Sequence, residues 1–357
     1  MIVYPLVFLA ATLFASWGDR RAQRRDGGVS LPRRLTLGAV LVIAVLAGVS
    51  ALRWRVGTDY WTYEYAYDAY VEQLPDKLSL MGEPGLRLLA WLSNVVGTGS
   101  AGMFGLAAII TITLMVRTLW RWSPAFAFSV AILIVSGVWH GSFNGVRQYL
   151  ACAILFAGHR YIIDRKPFRW FVVVLVAMLF HVSALVALLM YFVPTKRTSI
   201  PIQAAVFALG VVGMVSFTEI LELIGAFVGD DGVADGIYAN RSVSPLRIAF
   251  AFVPIALFWI LRNNAAVTNA NAWFYVNMLT IYAATYLASA NSAYIARFAI
   301  YVAPFLALGL VSITAVPNQR ERAFIRGALL CLYATFMYIQ IVDTSNLSNF
   351  QWIFERE

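Results

Sequence analysis

Long uncharged apolar runs recur from one end of the chain to the other, the first two being IVYPLVFLAATLFAS at residues 2–16 and LTLGAVLVIAVLAGVSAL at 35–52. In lipid no water reaches the backbone, so every N–H and C=O must pair within its own segment, and a helix needs about 20 residues to cross. The fold class that follows is an all-α polytopic membrane protein. Composition agrees, since 61% of the 357 residues are hydrophobic and 13% charged, more apolar than one soluble core requires. A single integral-membrane domain is expected over residues 1–357, with outer loops at 53–100 and 219–245.

Short basic loops stay on the cytoplasmic side, and the arginine-rich segment 18–34 fixes that side here. The charges of the first run follow it rather than precede it, so it reads as a retained span with its N-terminus outside. Alternation then gives spans at 35–52, 101–116, 124–139, 145–162, 202–217, 246–261, 272–288, 298–316 and 327–342, about ten full transmembrane helices in all. The run 86–96 is too short to span and is assigned as an interfacial helix. Segment 170–193 has basic residues at both ends and is assigned as a re-entrant or short helical hairpin bent near His181. No internal repeat is visible.

The formal net charge of +9 lies in short clusters between apolar runs, which is topological and not the footprint of nucleic acid. Cys152 and Cys331 both fall inside apolar runs, and they imply neither a disulfide framework nor a metal site. No cofactor is called for; a divalent cation is compatible with these residues but not indicated by them. Asp230, Asp231 and Asp235 are only loosely like a cation loop, and a solvated loop is the plainer reading.

Sorted by side, the polar residues gather outside: Arg53, Arg55, Asp59, Glu83, His140, Asn144, Arg147, Gln148, His181, Arg241, Asn291 and Arg297. Outer arginines at helix ends oppose the inside bias and so require another purpose. Arg147 in FNGVRQYLACAILF shares a predicted helix face with Asn144, and Gln148 flanks them. Its planar fork suits the oxygens of a membrane-embedded diphosphate, or else an ion pair with a residue such as Glu83 or Asp59. Arg297 is read similarly, with Tyr301 one turn below on the same face, or else as snorkelling to headgroups. Asp59 in VGTDY sits in a tight turn as a candidate general base or a turn aspartate. Glu83 in GEPG is a substrate contact or a helix cap before Pro84. His181, in the midst of an apolar run, is a second candidate base or a hydrogen-bonded core histidine. The tyrosines of RWRVGTDYWTYEYAYDAY, Tyr60 and Tyr63 among them, form an interfacial belt or a platform for sugar rings.

Taken in order, RWRVGTDYWTYEYAY, GEPGLRLLAWL, FNGVRQYLACAI with HRYIIDRK, LFHVSALVALLMYF and ARFAIYVAPF resemble the EpsG family of exopolysaccharide polymerases, Wzy-like membrane proteins. The similarity runs from about residue 50 to 305 and rests on GTDY, EPG, the RQ pair and FHxSAL; no motif is identified within 219–245. The resemblance implies a C-type glycosyltransferase-like bundle in a bacterial plasma membrane. Its active site would face the periplasm or exterior, where it polymerises undecaprenyl-diphosphate-linked oligosaccharides. Donor and acceptor would both be lipid-linked, with membrane lipids around them and a flippase and chain-length regulator as pathway partners. On this reading Asp59 or His181 deprotonates the acceptor hydroxyl, and similarity to C-type enzymes favours Asp59. Arg147, Arg297, Arg53, Arg55, Gln148 and Tyr301 would serve the lipid diphosphate, and Tyr60, Tyr63, Glu83, Asn144, His140 and Arg241 the sugars. The alternatives are a lipid-dependent glycosyltransferase or ligase using a different acceptor, and a flippase or transporter of the same substrate.

Overall fold

The structure is a computed structural model, and it describes residues 1–25, 34–228, 241–262, 271–343 and 347–355. Asp230, Asp231 and Asp235 lie outside the described residues. The chain divides into two compact units, residues 1–191 with 324–357, and residues 192–323.

In the first unit α1 (Val3–Arg25) packs against α2 (Leu37–Ala51) and α7 (Phe126–Val135), and α2 packs against α6 (Gly99–Trp122). α6 also meets α5 (Pro84–Val95) and α9 (Val146–Gly158), and α9 meets α11 (Pro167–Met178). The strip after α2 folds into β1 (Arg53–Trp54), α3 (Tyr60–Tyr65) and α4 (Tyr67–Glu72). α18 (Gln319–Asp343) leads into β2 (Gln351–Trp352), which pairs antiparallel with β1, Arg53 opposite Trp352 and Trp54 opposite Gln351. Ile353 N–H extends this clasp to Leu52 O at 2.8 Å, and Tyr4 Oη donates to Leu347 O at 2.8 Å. Helix starts, strip and tail thus meet at one end. At the other, Trp120 Nε1 donates to Arg34 O at 3.2 Å, Ala127 N–H donates to Asp19 at 2.9 Å, and Arg326 lies over the Phe128 ring.

The segment predicted to turn back does so. Trp170 Nε1 donates to Ala187 O at 3.1 Å and Arg165 Nη1 to Tyr191 O at 2.8 Å, whereas 17 residues of straight helix would hold the first pair about 25 Å apart. α11 forms one arm. The other, Val182–Phe192, is a 3₁₀ helix of 11 residues, unusually long for that form.

In the second unit α15 (Ala272–Ala288) is central, buried along most of its length and packed against α12 (Ile200–Val215), α14 (Pro245–Leu261) and α17 (Phe305–Ile313). Asn277 on α15 donates to Pro194 O at 2.8 Å and Lys196 O at 3.0 Å, tying the entry of α12 to its middle.

The described residues confirm an all-helical chain but not a bundle of ten full spans. Among the described residues two helices are long and apolar enough to cross a membrane, Gly99–Trp122 and Gln319–Val342, or up to four if two bent pairs each count as one. The apolar runs are continuous in sequence but their helices break. Run 124–139 divides into α7 and α8 (Val138–Gly141), 145–162 into α9 and α10 (Arg160–Ile163), and 298–316 into a 3₁₀ turn (Arg297–Tyr301), which continues α16 (Ala293–Ala296), and α17, bent by 67° from the segment Ala293–Tyr301 before it. The region expected as an acidic loop from residue 219 begins instead as α13 (Phe217–Val228), bent 79° from α12. Leu221 explains it, being buried against Ile295 with Ile220 and Ile224 on the same helical face.

Candidate active site

Two sequence motifs nearly a hundred residues apart dock onto each other at the hairpin tip. Gly85 N–H donates to Leu179 O at 2.7 Å, and a Cβ at Gly85 would lie 2.6 Å from the Phe180 ring, so only glycine lets EPG seat against LFHVS. This contact places Glu83, which has a left-handed backbone (φ 49°), at the start of α5. Its side chain makes no capping bond. Instead Oε1 accepts from Val182 N–H at 2.8 Å and pairs with His181 Nδ1 at 2.8 Å, while Oε2 forms an ion pair with Arg147 Nη1.

Glu83 is 9% exposed. Burial pushes its pKa up, but the bond from His181, the charges of Arg147 and His181 and the Val182 N–H outweigh it and hold the carboxyl below its ordinary 4.5. An ionised carboxylate accepts only, so His181 Nδ1 carries the hydrogen, and it is through Nε2 that the ring can take up or release a proton. Arg147 stands at the second residue of α9, with its guanidinium 5.8 Å from the Tyr63 ring centre. Its side chain is 35% exposed. The ion pair anticipated as one of two roles for Arg147 is therefore present, and the guanidinium keeps further N–H donors beyond the one held by Glu83.

Asp59 stands at the start of α3 with its carboxylate accepting from the Thr58 hydroxyl at 3.2 Å, and its charge is felt at Tyr63. The turn that holds it is locked from α9's approach. Asn144 Oδ1 accepts from Thr58 N–H at 2.8 Å, and a Cβ at Gly57 (φ 106°) would fall 2.6 Å from that same oxygen. Asn144 precedes the helix instead of sharing a helical face with Arg147, because α9 begins only at Val146.

The remaining candidates settle differently. Arg53 is buried, bonded to Ser50 O and Phe143 O and laid near the Tyr60, Phe104 and Phe143 rings; burial pushes its pKa down to about 10. Enclosed in this way, it braces the strip and offers no surface to a lipid phosphate. Tyr60 and Tyr63 are likewise core residues, Tyr60 stacked on Phe104 at 4.3 Å and Tyr63 edge-on to it, so neither ring presents an open face to a sugar. The exposed aromatics of the strip are Trp61 and Tyr65. Arg55 lies over Trp61 at 3.9 Å and pairs with Glu64 at 3.9 Å. Gln148 is buried, and His140 is buried edge-on to Tyr4, apart from the His181 pairing. In the second unit Arg241 is exposed and its carbonyl accepts from Ala293 N–H at 2.7 Å. Arg297 and Tyr301 bound a 3₁₀ turn, where three residues complete a revolution. A spacing of four therefore separates their faces, and Tyr301 is wholly buried.

The sequence model of the EpsG family matches residues 37–353, nearly nine-tenths of the chain and with every element of this cluster inside it. The chain belongs to the EpsG family. No curated protein and no solved structure matches it. With its apolar helices, this EpsG-family chain is a membrane protein, and the family points to a role in exopolysaccharide polymerisation.

Glu83, Arg147 and His181 are each visible in the sequence as separate candidates, but their union on one carboxylate is not. Nor does the sequence single out Val182 N–H, Trp61 or the tail residues Asn349 and Gln351, which carry no motif.

Proposed function

We propose that this EpsG-family protein is a glycosyltransferase of the outer leaflet that polymerises lipid-diphosphate-linked oligosaccharides, the lipid being undecaprenol. The observation that carries the reading is the single carboxylate of Glu83 held between His181 and Arg147. A histidine whose Nδ1–H is fixed by a carboxylate is oriented as a general base through Nε2. In the reaction His181 Nε2 takes the proton of a nonreducing-end hydroxyl on the acceptor. That oxygen bonds to the anomeric carbon of the donor sugar, and the bond from this carbon to the diphosphate oxygen breaks. The electron pair leaves with the lipid diphosphate, whose growing charge Arg147 offsets with the N–H groups not used by Glu83. Glu83 in turn stabilises the imidazolium that forms. His181 is preferred to Asp59 as base because its ring is oriented by a buried partner, whereas among the described residues the Asp59 carboxylate is held by the adjacent threonine hydroxyl.

Purified protein given its lipid-linked repeat without any nucleotide sugar should produce a ladder of polymer. His181→Ala should produce none while retaining donor. Absence of a ladder from the wild-type protein overturns the polymerase reading, and a full ladder from His181→Ala with none from Asp59→Asn transfers the base to Asp59.

A further inference from the structure

The clasp between strip and tail leaves an open cleft of about 250 Å³ lined by Arg55, Trp61, Asn349 and Gln351. In the tail Phe350, Trp352 and Phe354 pack on one another in sequence, the last two stacked at 5.6 Å. Asn349 and Gln351 both line the cleft and are exposed, and among the described residues neither side-chain amide has a hydrogen-bond partner. Opposite them Trp61 is 48% exposed. Arg55 holds a left-handed backbone (φ 53°) that few non-glycine residues adopt, with its guanidinium over the Trp61 ring.

We infer that this cleft is a glycan subsite, holding one or two pyranose rings of the oligosaccharide and so deepening the polymerase reading on which it rests. An aromatic surface beside unengaged amides and a guanidinium suits a ligand with apolar C–H faces and a rim of hydroxyls. A free anion suits it poorly, because the cleft's one cation is already countered by Glu64. The volume is below that of sites for drug-sized ligands, about 300 Å³ and upward, which limits the occupant to a short stretch of sugar. Two separate parts of the chain form its walls, so a glycan here would bridge the strip and the tail close to the β1–β2 pair.

The test uses the full-length protein in detergent and equilibrium dialysis against oligosaccharides of one to three repeats, cut from the polymer of cells that carry the protein. Wild-type protein should bind them, Trp61→Ala at least tenfold more weakly, and the Asn349→Ala/Gln351→Ala double variant at least threefold more weakly, with both variants making shorter polymer. The double variant lies on an exposed tail and keeps the test valid if Trp61→Ala misfolds. Equal binding by the double variant and wild type, or no binding by wild type, overturns the subsite. Displacement of the sugar by inorganic diphosphate does so as well, since it would mark an anion site. No lipid-linked donor enters the dialysis, so a failed subsite with polymerisation intact is separate from a failed polymerase reading.

Discussion

His181 Nδ1 and Glu83 Oε1 stand 2.8 Å apart although 98 residues separate them, and the same carboxylate takes Arg147 on its other oxygen. A base and a cation that share one anion are held in fixed register, and substitutions at the three positions should not be additive.

Glu83→Gln keeps the shape of the side chain but removes the charge that steadies an imidazolium. Polymer formation should fall by about 10²–10⁴-fold, the range for losing general base function, with little change in membrane insertion. A variant within twofold of wild type in a single-turnover assay would show that Glu83 is structural only.

Glu83→Ala strands Val182 N–H and Arg147 together. Thermal unfolding in detergent should register a loss of about 1–3 kcal/mol, held to that range by the 35% exposure of Arg147. Adding Arg147→Met should recover part of the loss by removing the uncompensated charge.

Acid should weaken the hub in a defined direction. The folded pKa of Glu83 lies below its ordinary 4.5, so its stabilisation is fully present above that value and fades as pH falls through it toward the folded value. The melting temperature of the wild-type protein should therefore drop more between about pH 6 and pH 3 than that of Glu83→Gln. Parallel curves would assign the ion pair no net stabilising role.

Arg147→Lys retains the charge and loses the planar fork. If the guanidinium grips a diphosphate, this variant should keep no more than about a tenth of wild-type polymerisation, because the lysine is not an equivalent bidentate donor. Lipid-linked repeats should accumulate. Full activity in Arg147→Lys would reduce the residue to a counter-charge for Glu83.

Gly57→Ala tests the turn that carries Asp59. The new Cβ would meet Asn144 Oδ1 at 2.6 Å and Phe143 O at 2.9 Å on a backbone with φ 106°, a strain of about 1–3 kcal/mol. Asn144→Ala should relieve part of the clash while losing the bond to Thr58, which a double-mutant cycle on melting temperature would resolve.

Local pattern carried most of the helices. Ala272–Ala288 forms over the residues its apolar run marks, and the basic ends of 170–193 gave away the reversal seen at Trp170 and Ala187. What stayed hidden depends on partners distant in sequence. A tyrosine in a membrane-flanking strip looks the same whether it faces water or, like Tyr60, stacks on Phe104 in the core. The helix breaks before Val138 and after Tyr301 interrupt runs that remain apolar throughout, so hydropathy passes over them. The tail Gln351–Trp352 has no signature that names Arg53–Trp54 as its partner. For the candidate site, GTDY, EPG, RQ and FHxSAL each mark a residue, but the convergence of His181 and Arg147 on Glu83 is a tertiary fact.

The second arm of the hairpin advances about 2.0 Å per residue against 1.5 Å for an α-helix. Its 11 residues therefore reach about 22 Å where a rewound arm would reach about 16.5 Å. The pitch of this one segment sets how far the imidazole stands from the arm's base at Tyr191, and over the ten residues from His181 to Tyr191 a change of winding would withdraw it by about 5 Å, well outside hydrogen-bond reach of Glu83.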